Sequence, residues 1–320
     1  MRRIAFLVLV LLMAPALPLH AQTRDAGPWW PNDLWGAADQ SGASNWITPE
    51  KILEAIALVK TGKVYELGNV YERGMPLLGQ RTYAIVMPGL PTSGPVGDQK
   101  LVFNEEFIAS EIGQVGTQFD GMGHVGQRMT MADGRETDVY YNGFTSDEMA
   151  DPYGLQRLGV ENIKPIITRG VLIDLAGYQG VERLPEHYEA TLADVRGALA
   201  RQGMNENDLR PGDALLFNFG WWTLWPDPIT HNQGVIPAIG MDVVQWIIGR
   251  QPAMVGSDLA LDGAAMRVHP ELTMKNGIGN LEFMNFGPLM ADPGWEFLLI
   301  VTPLRLKGAT GSPSRPIAIR

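Results

Sequence analysis

The sequence predicts one mixed α/β domain of the α+β kind behind an N-terminal targeting segment. Helical and strand patterns interleave along the chain, with more strand and loop than helix. The chain has 320 residues with neither an internal repeat nor a clear linker, so residues 22–320 read as a single domain with ample core. Hydrophobic residues make up 45% and charged residues 19%, an ordinary globular balance.

Residues 1–21 read as a signal peptide. Arg2 and Arg3 form a basic start, and Ile4 to Ala14 form an apolar run too short for a comfortable membrane span. Ala21 is a plausible cleavage point, which makes a periplasmic or secreted protein the expectation, with no membrane attachment after cleavage. Residues 22–47, with four Trp, read as an irregular lead-in. Thr48 is a helix cap and Pro49 a first helical residue, and Gly62 ends that helix; Ile52, Ala55, Ile56 and Val59 give its apolar stripe. Val64 to Leu67 reads as a strand. Gly and Pro crowd residues 72–100, which read as a long loop of the functional or flexible kind. Residues 126–160 read as irregular, with a turn at Tyr140-Tyr141-Asn142-Gly143.

Ile166 to Leu175 reads as a buried strand interrupted by Arg169-Gly170. Thr191 caps a helix through Gln202, with Leu192, Val195 and Leu199 on one face. Pro211-Gly212 is a turn before a strand from Ala214 to Phe219, and Met241 to Ile248 is a short helix. Ala253 to Gly256 is a buried strand leading into Ser257-Asp258, and Phe297 to Val301 is a last strand.

Composition narrows the function. The net charge of −10 argues against nucleic acid or an anionic membrane as partner. The absence of Cys removes disulfides, thiolate ligands and Cys nucleophiles together. No G-x-S-x-G occurs, and neither G-x-G-x-x-G nor a P-loop stands in strand–helix context.

The densest chemistry lies in Gln114-Val115-Gly116-Thr117-Gln118-Phe119-Asp120-Gly121-Met122-Gly123-His124. Gln114, Gln118, Asp120 and His124 are separated by even numbers of residues, so an extended strand would project all four from one face. Such a face could surround a divalent cation and leave His124 to move protons; a glycine-rich loop whose polar groups satisfy each other is the alternative. Further on, His269 precedes Glu282, which sits among apolar residues and needs a partner, either a metal or an Arg such as Arg267. Asp258, after a strand, is a candidate substrate contact or simply a turn cap. Trp221, Trp222 and Trp225 could wall an aromatic pocket or serve as core or dimer contact. His187 and His231 read as surface residues.

These residues resemble the cyclase family of metal-dependent hydrolases, which includes kynurenine formamidase and isatin hydrolase. The resemblance spans most of the mature chain: Trp35-Gly36-Ala37-Ala38-Asp39-Gln40 with Asn45 and Thr48-Pro49-Glu50, then Arg169-Gly170-Val171-Leu172-Ile173-Asp174, Pro211-Gly212-Asp213-Ala214-Leu215-Leu216 and Gly256-Ser257-Asp258. The family hallmark H-x-G-T-H-x-D-x-P-x-H, with a later His and Glu, is matched at Gly116, Thr117, Asp120, His124, His269 and Glu282. Gln114 and Gln118 replace its two metal-binding His, and Met122 stands in the Pro slot, a form similar to the trans-dienelactone hydrolases. The resemblance implies a swivelling β/β/α fold, often as homo-oligomers, and one divalent ion, Zn²⁺ or Mn²⁺. Asp120, His269 and Glu282 would hold that ion, with Gln114 and Gln118 as weak ligands or hydrogen bonders, since a neutral amide oxygen binds more weakly than imidazole.

It further implies metal-assisted hydrolysis of an amide, formamide or lactone bond in a small cyclic or aromatic substrate, with His124 as general acid/base and Trp221, Trp222 and Asp258 toward the substrate. N-formyl-kynurenine is the best-known family substrate. The rival from another class is an exported binding protein that captures an aromatic ligand without turnover.

Overall fold

A nine-stranded mixed sheet forms the centre of the molecule. The computed structural model describes residues 26–149, 151–225, 227, 236–292 and 294–320; the targeting segment at 1–21 and His231 lie outside them. In sheet order the strands are Val64–Glu66, Ile317–Ile319, Glu296–Val301, Ile166–Asp174, Ala214–Asn218, Met254–Ser257, Gly279–Glu282, Gln118–Asp120 and Gly311–Pro313. The four strands from Ile166–Asp174 to Gly279–Glu282 run parallel, and the flanking pairs are antiparallel. Among the described residues no helix is long and apolar enough to cross a membrane.

The parallel strands are buried on both faces, and their side chains alternate between two cores. Val171, Ile173, Leu215, Phe217 and Val255 join one core with Val195, Leu199, Val244 and Ile247 of the helices Leu192–Arg201 and Met241–Arg250. Leu172, Leu216, Met254 and Leu281 join the other core with Phe119 and Leu299. Thr191 caps its helix through a reciprocal box with Asp194, as its sequence position suggests.

Several expectations need correction. The first helix is Pro49–Ile56, capped by Thr48, and stops short of Gly62 because the chain tightens into i→i+3 turns at Leu58 and Val59. Its buried face carries Lys51 and Ala55, while Ile56 is exposed. The face is turned because Lys51 Nζ binds Asp213 Oδ1 at 2.5 Å, and Arg169 binds the other Asp213 oxygen at 3.1 Å. The strand from Ile166 runs unbroken through Arg169-Gly170: a side chain at Gly170 would meet the Phe297 ring at 2.4 Å, so glycine serves packing there.

The stretch 126–160 is not wholly irregular, since Gln127–Thr130 pairs with Glu136–Val139. Nor is 72–100 a plain loop. Tyr83–Val86 pairs with Phe107–Ser110, and between them Ser93–Val96 pairs with Leu101–Phe103, which makes a long ribbon arm.

Candidate metal centre

Two neighbouring antiparallel strands present the site. Gln118 lies opposite Glu282 and Asp120 opposite Asn280, so all four side chains share one face of the sheet, while Phe119 and Leu281 turn into the core behind. Only Gln118–Asp120 of the central motif is a strand, so the expected four-residue extended face is half right. Gln114 arrives from a turn in which its N–H donates to the Glu111 carbonyl. His124 sits on the following turn, its N–H donating to the Gly121 carbonyl at 3.0 Å. That turn runs tight against its surroundings: a side chain at Gly121 would meet the Thr310 carbonyl oxygen at 2.8 Å, and one at Gly123 would meet a Leu155 methyl at 2.5 Å. Thr117 clamps the approach, donating to the Phe283 carbonyl at 2.6 Å and accepting from Asn69 N–H at 2.8 Å.

His269 enters from the residue ahead of the turn Pro270–Lys275. Its Nδ1 contacts Asp262 Oδ2, and the same carboxylate accepts its backbone N–H at 3.2 Å. Its Nε2 lies 3.1 Å from Asp120 Oδ2 and 3.3 Å from Glu282 Oε1. Ligand atoms of Asp120, His124 and His269 lie within 4.8 Å of one another, and the two imidazole rings meet edge-on at 6.0 Å.

Gln118 Nε2 faces Asp120 Oδ1 at 3.4 Å, Glu282 Oε2 at 3.3 Å and Gln114 Oε1 at 3.5 Å. Gln114 in turn reaches Thr310 Oγ1 at 3.4 Å. Glu282 does not pair with Arg267, which reaches Glu189 at 3.5 Å instead.

The electrostatics follow from this crowding. Asp120, Asp262 and Glu282 are all at most 3% exposed. Among the described residues, the one basic side chain within ion-pair distance of any of them is His269. Burial together with the Asp120 charge pushes the Glu282 carboxyl up to about 8. Burial pushes Asp120 up too, but His124 and His269 outweigh it and hold that carboxyl below its usual range. His269 is opposed by burial and yet raised, because the hydrogen bond to Asp120 and the Glu282 charge favour its proton. Burial lowers His124, against the pull of Asp120.

The donor set fits a divalent cation. Two buried amide oxygens, Gln118 Oε1 and Asn280 Oδ1, have no hydrogen-bond partner. Asp120, Asp262 and Glu282 crowd three buried acidic groups around one imidazole, a setting in which a divalent ion would favour the charged form of all three. Ligand atoms about 2.0–2.2 Å from one ion sit roughly 3–3.5 Å apart, the spacing seen around His269 Nε2. Asp120 and His269 belong to every reading of the shell; His124 and Glu282 both reach it.

The remaining candidates fall elsewhere. Trp221 is buried and donates to the Leu184 carbonyl at 2.9 Å. Asp258 accepts from the backbone N–H groups of Phe219 at 2.9 Å and Trp222 at 3.1 Å, so both carboxylate oxygens hold the turn after a strand. Trp222 lies against Gly287. Trp225 packs against Phe283, next to Glu282, at a ring distance of 6.3 Å. His187 is exposed, as its loop suggests.

Sequence reasoning missed three residues. Asn280 had a signal, since it precedes Glu282 by two on a strand. Asp262 had none. Arg81, hidden in the supposed loop, lies close enough for its charge to act on Asp120, His124, His269 and Glu282.

A mixed sheet that ends in a carboxylate–imidazole cluster defines a protein built around a candidate metal centre. The chain belongs to the cyclase family, whose model matches residues 38–262. The crystal structure of a novel cyclase is 31% identical and superposes with a TM-score of 0.77, over 89% of this chain and 98% of that one. Isatin hydrolase A from Ralstonia solanacearum shares the fold at 20% identity, with a TM-score of 0.58 over 86% of this chain and 98% of its own. Isatin hydrolase A from Labrenzia aggregata, bound to benzyl benzoate, does so at 18% identity and 0.56, over 84% and 97%. No curated protein matches the chain at a significant level.

Proposed function

We propose that this cyclase-family chain is a metal-dependent hydrolase that cleaves an amide, formamide or lactone bond in a small cyclic or aromatic substrate. The observation that carries this reading is the cluster itself: buried Asp120 and His269 and half-buried His124 converge within 4.8 Å, beside Glu282 and two unpartnered amide oxygens. The isatin hydrolases of the same fold supply the analogy for a small cyclic substrate.

Asp120, His269 and Glu282 would hold one Zn²⁺ or Mn²⁺, and Asp262 fixes the His269 ring through its other nitrogen. Such an ion would supply Lewis acidity, the chemistry that lowers the pKa of a water and polarises a carbonyl. Gln118 acts as a hydrogen-bond donor that spans both carboxylates, and Gln114 braces it. His124, kept neutral at pH 7 by burial, takes a proton from the attacking water and returns it to the leaving group. Trp225 and Phe283 form the aromatic wall, and Asp258 and Trp221 hold the turn that leads to Trp225.

A second reading has a specific observation behind it: the mutually close set includes His124, not Glu282. There His124 completes the metal shell, and Glu282, whose carboxyl keeps its proton to about pH 8, is the acid. His124→Ala separates the two. Turnover of a panel of lactones and formamides is lost while metal content stays if His124 moves the proton; metal and turnover go together if it is a ligand. The non-catalytic binding protein gathers these residues for no purpose, and it is the outcome if the panel shows no hydrolysis with either ion added.

A further inference from the structure

Among the described residues, the Arg81 guanidinium makes neither an ion pair nor a hydrogen bond, although the chain holds 35 acidic residues. Arg128, Arg169, Arg210 and Arg315 each reach a carboxylate. Arg81 is half-buried and lines a cavity of about 360 Å³ with Leu78, Gly79, Gln80 and Glu111. Hydrogen bonds tie that cavity to the candidate metal centre. Glu111 accepts from Thr82 N–H at 2.7 Å and from Thr82 Oγ1 at 3.1 Å, and its carbonyl accepts the Gln114 N–H at 2.8 Å. Gln114 meets Gln118, which spans Asp120 and Glu282. The Tyr71 and Tyr83 rings, 5.8 Å apart, fasten the same segment, and Tyr71 lies so close to Gly116 that a side chain there would meet its ring at 2.6 Å. Arg81 is thus fixed beside the backbone that carries the site, and its charge reaches Asp120, His124, His269 and Glu282.

We propose that Arg81 and its cavity form an anion subsite of the substrate cleft, which takes a carboxylate that the substrate carries away from the scissile bond. The proposal rests on the hydrolase reading and names the substrate class within it. A positive charge next to a cation-binding cluster works against the cation by Coulomb repulsion. An anionic group bound between the two offsets that cost, because both attract it. A planar guanidinium suits a carboxylate, which it grips with two parallel hydrogen bonds. Glu111 limits the charge of the guest: it shares the cavity, so a dianion such as a phosphate meets more repulsion there than a monoanion.

The test uses matched pairs: 4-formamidobenzoate against 4-formamidobenzamide, and a γ-lactone with a carboxylate side chain against its carboxamide. The unmodified protein should favour the carboxylate of each pair about 10- to 100-fold in kcat/KM, mainly through KM. Arg81→Gln should lose that preference and keep its metal, while the carboxamides change less than about 3-fold; Arg81→Lys should retain part of it. Equal losses on both members of a pair would make Arg81 a charge-balancing residue and overturn the subsite, as would an unmodified protein with no preference. If neither member is hydrolysed, the hydrolase reading fails by itself, and titration calorimetry with the same compounds decides the subsite. A carboxylate that binds more tightly than its carboxamide, and loses that advantage in Arg81→Gln, supports it; any other binding result overturns it.

Discussion

His269 meets three carboxylates at once, and each contact does something different. Asp262 fixes the ring, while Asp120 and Glu282 share the opposite nitrogen. Asp262→Asn removes the charge behind the ring without changing its size, and should weaken Zn²⁺ or Mn²⁺ affinity about 10- to 100-fold, read by competition with a metal indicator. Gln118→Ala removes the donor between Asp120 and Glu282 and should fall in the same range. The pH profile reports on His124. Burial lowers its pKa below the ordinary 6.5, so the base form predominates at pH 7, and the acid limb of kcat/KM should be centred below pH 6.5. A limb centred near pH 8, with activity lost as pH rises, would instead report the Glu282 carboxyl and favour the second reading.

Among the elements, the turn after Ala214–Asn218 depends on Asp258. Asp258→Ala leaves the N–H groups of Phe219 and Trp222 without acceptors in the interior, and should cost about 2–4 kcal/mol in urea unfolding. Burial raises the Asp258 carboxyl from 3.8 to about 6. The folded chain therefore binds that proton more tightly than the unfolded chain, so this group's contribution to stability is present below pH 3.8, declines as pH rises to 6, and is flat above. Asp258→Asn should lack this decline when the two proteins are unfolded across that range.

The regular elements were legible because their signals are local: Thr48 and Thr191 as caps, and apolar runs for the parallel strands. The ribbon arm was not, since its Gly and Pro residues read as loop punctuation and its pairing joins Tyr83–Val86 to Phe107–Ser110 across the intervening chain. The burial of Lys51 was illegible too, because its partners Asp213 and Arg169 determine it from far along the chain.

At the scale of the molecule, family and mixed fold could be read from the hallmark around Asp120 and from Arg169-Gly170 and Pro211-Gly212-Asp213. The convergence of His269 and Glu282 on Asp120 could be expected by that resemblance alone; spacing did not reveal it, because strand order brings Gly279–Glu282 beside Gln118–Asp120. Asp262 and Arg81 carry no sequence mark. The N-terminal reading has its own check: protein recovered after export should begin at Gln22, by intact mass.

The central claim is that the buried carboxylates around His269 exist to hold a cation. Metal content, measured by plasma mass spectrometry on protein purified without chelators or a polyhistidine tag, tests it most directly. The account predicts about one Zn or Mn per chain in the unmodified protein and its loss in Asp120→Ala. Protein that carries no metal, and takes up none on dialysis against Zn²⁺ and Mn²⁺, would contradict it.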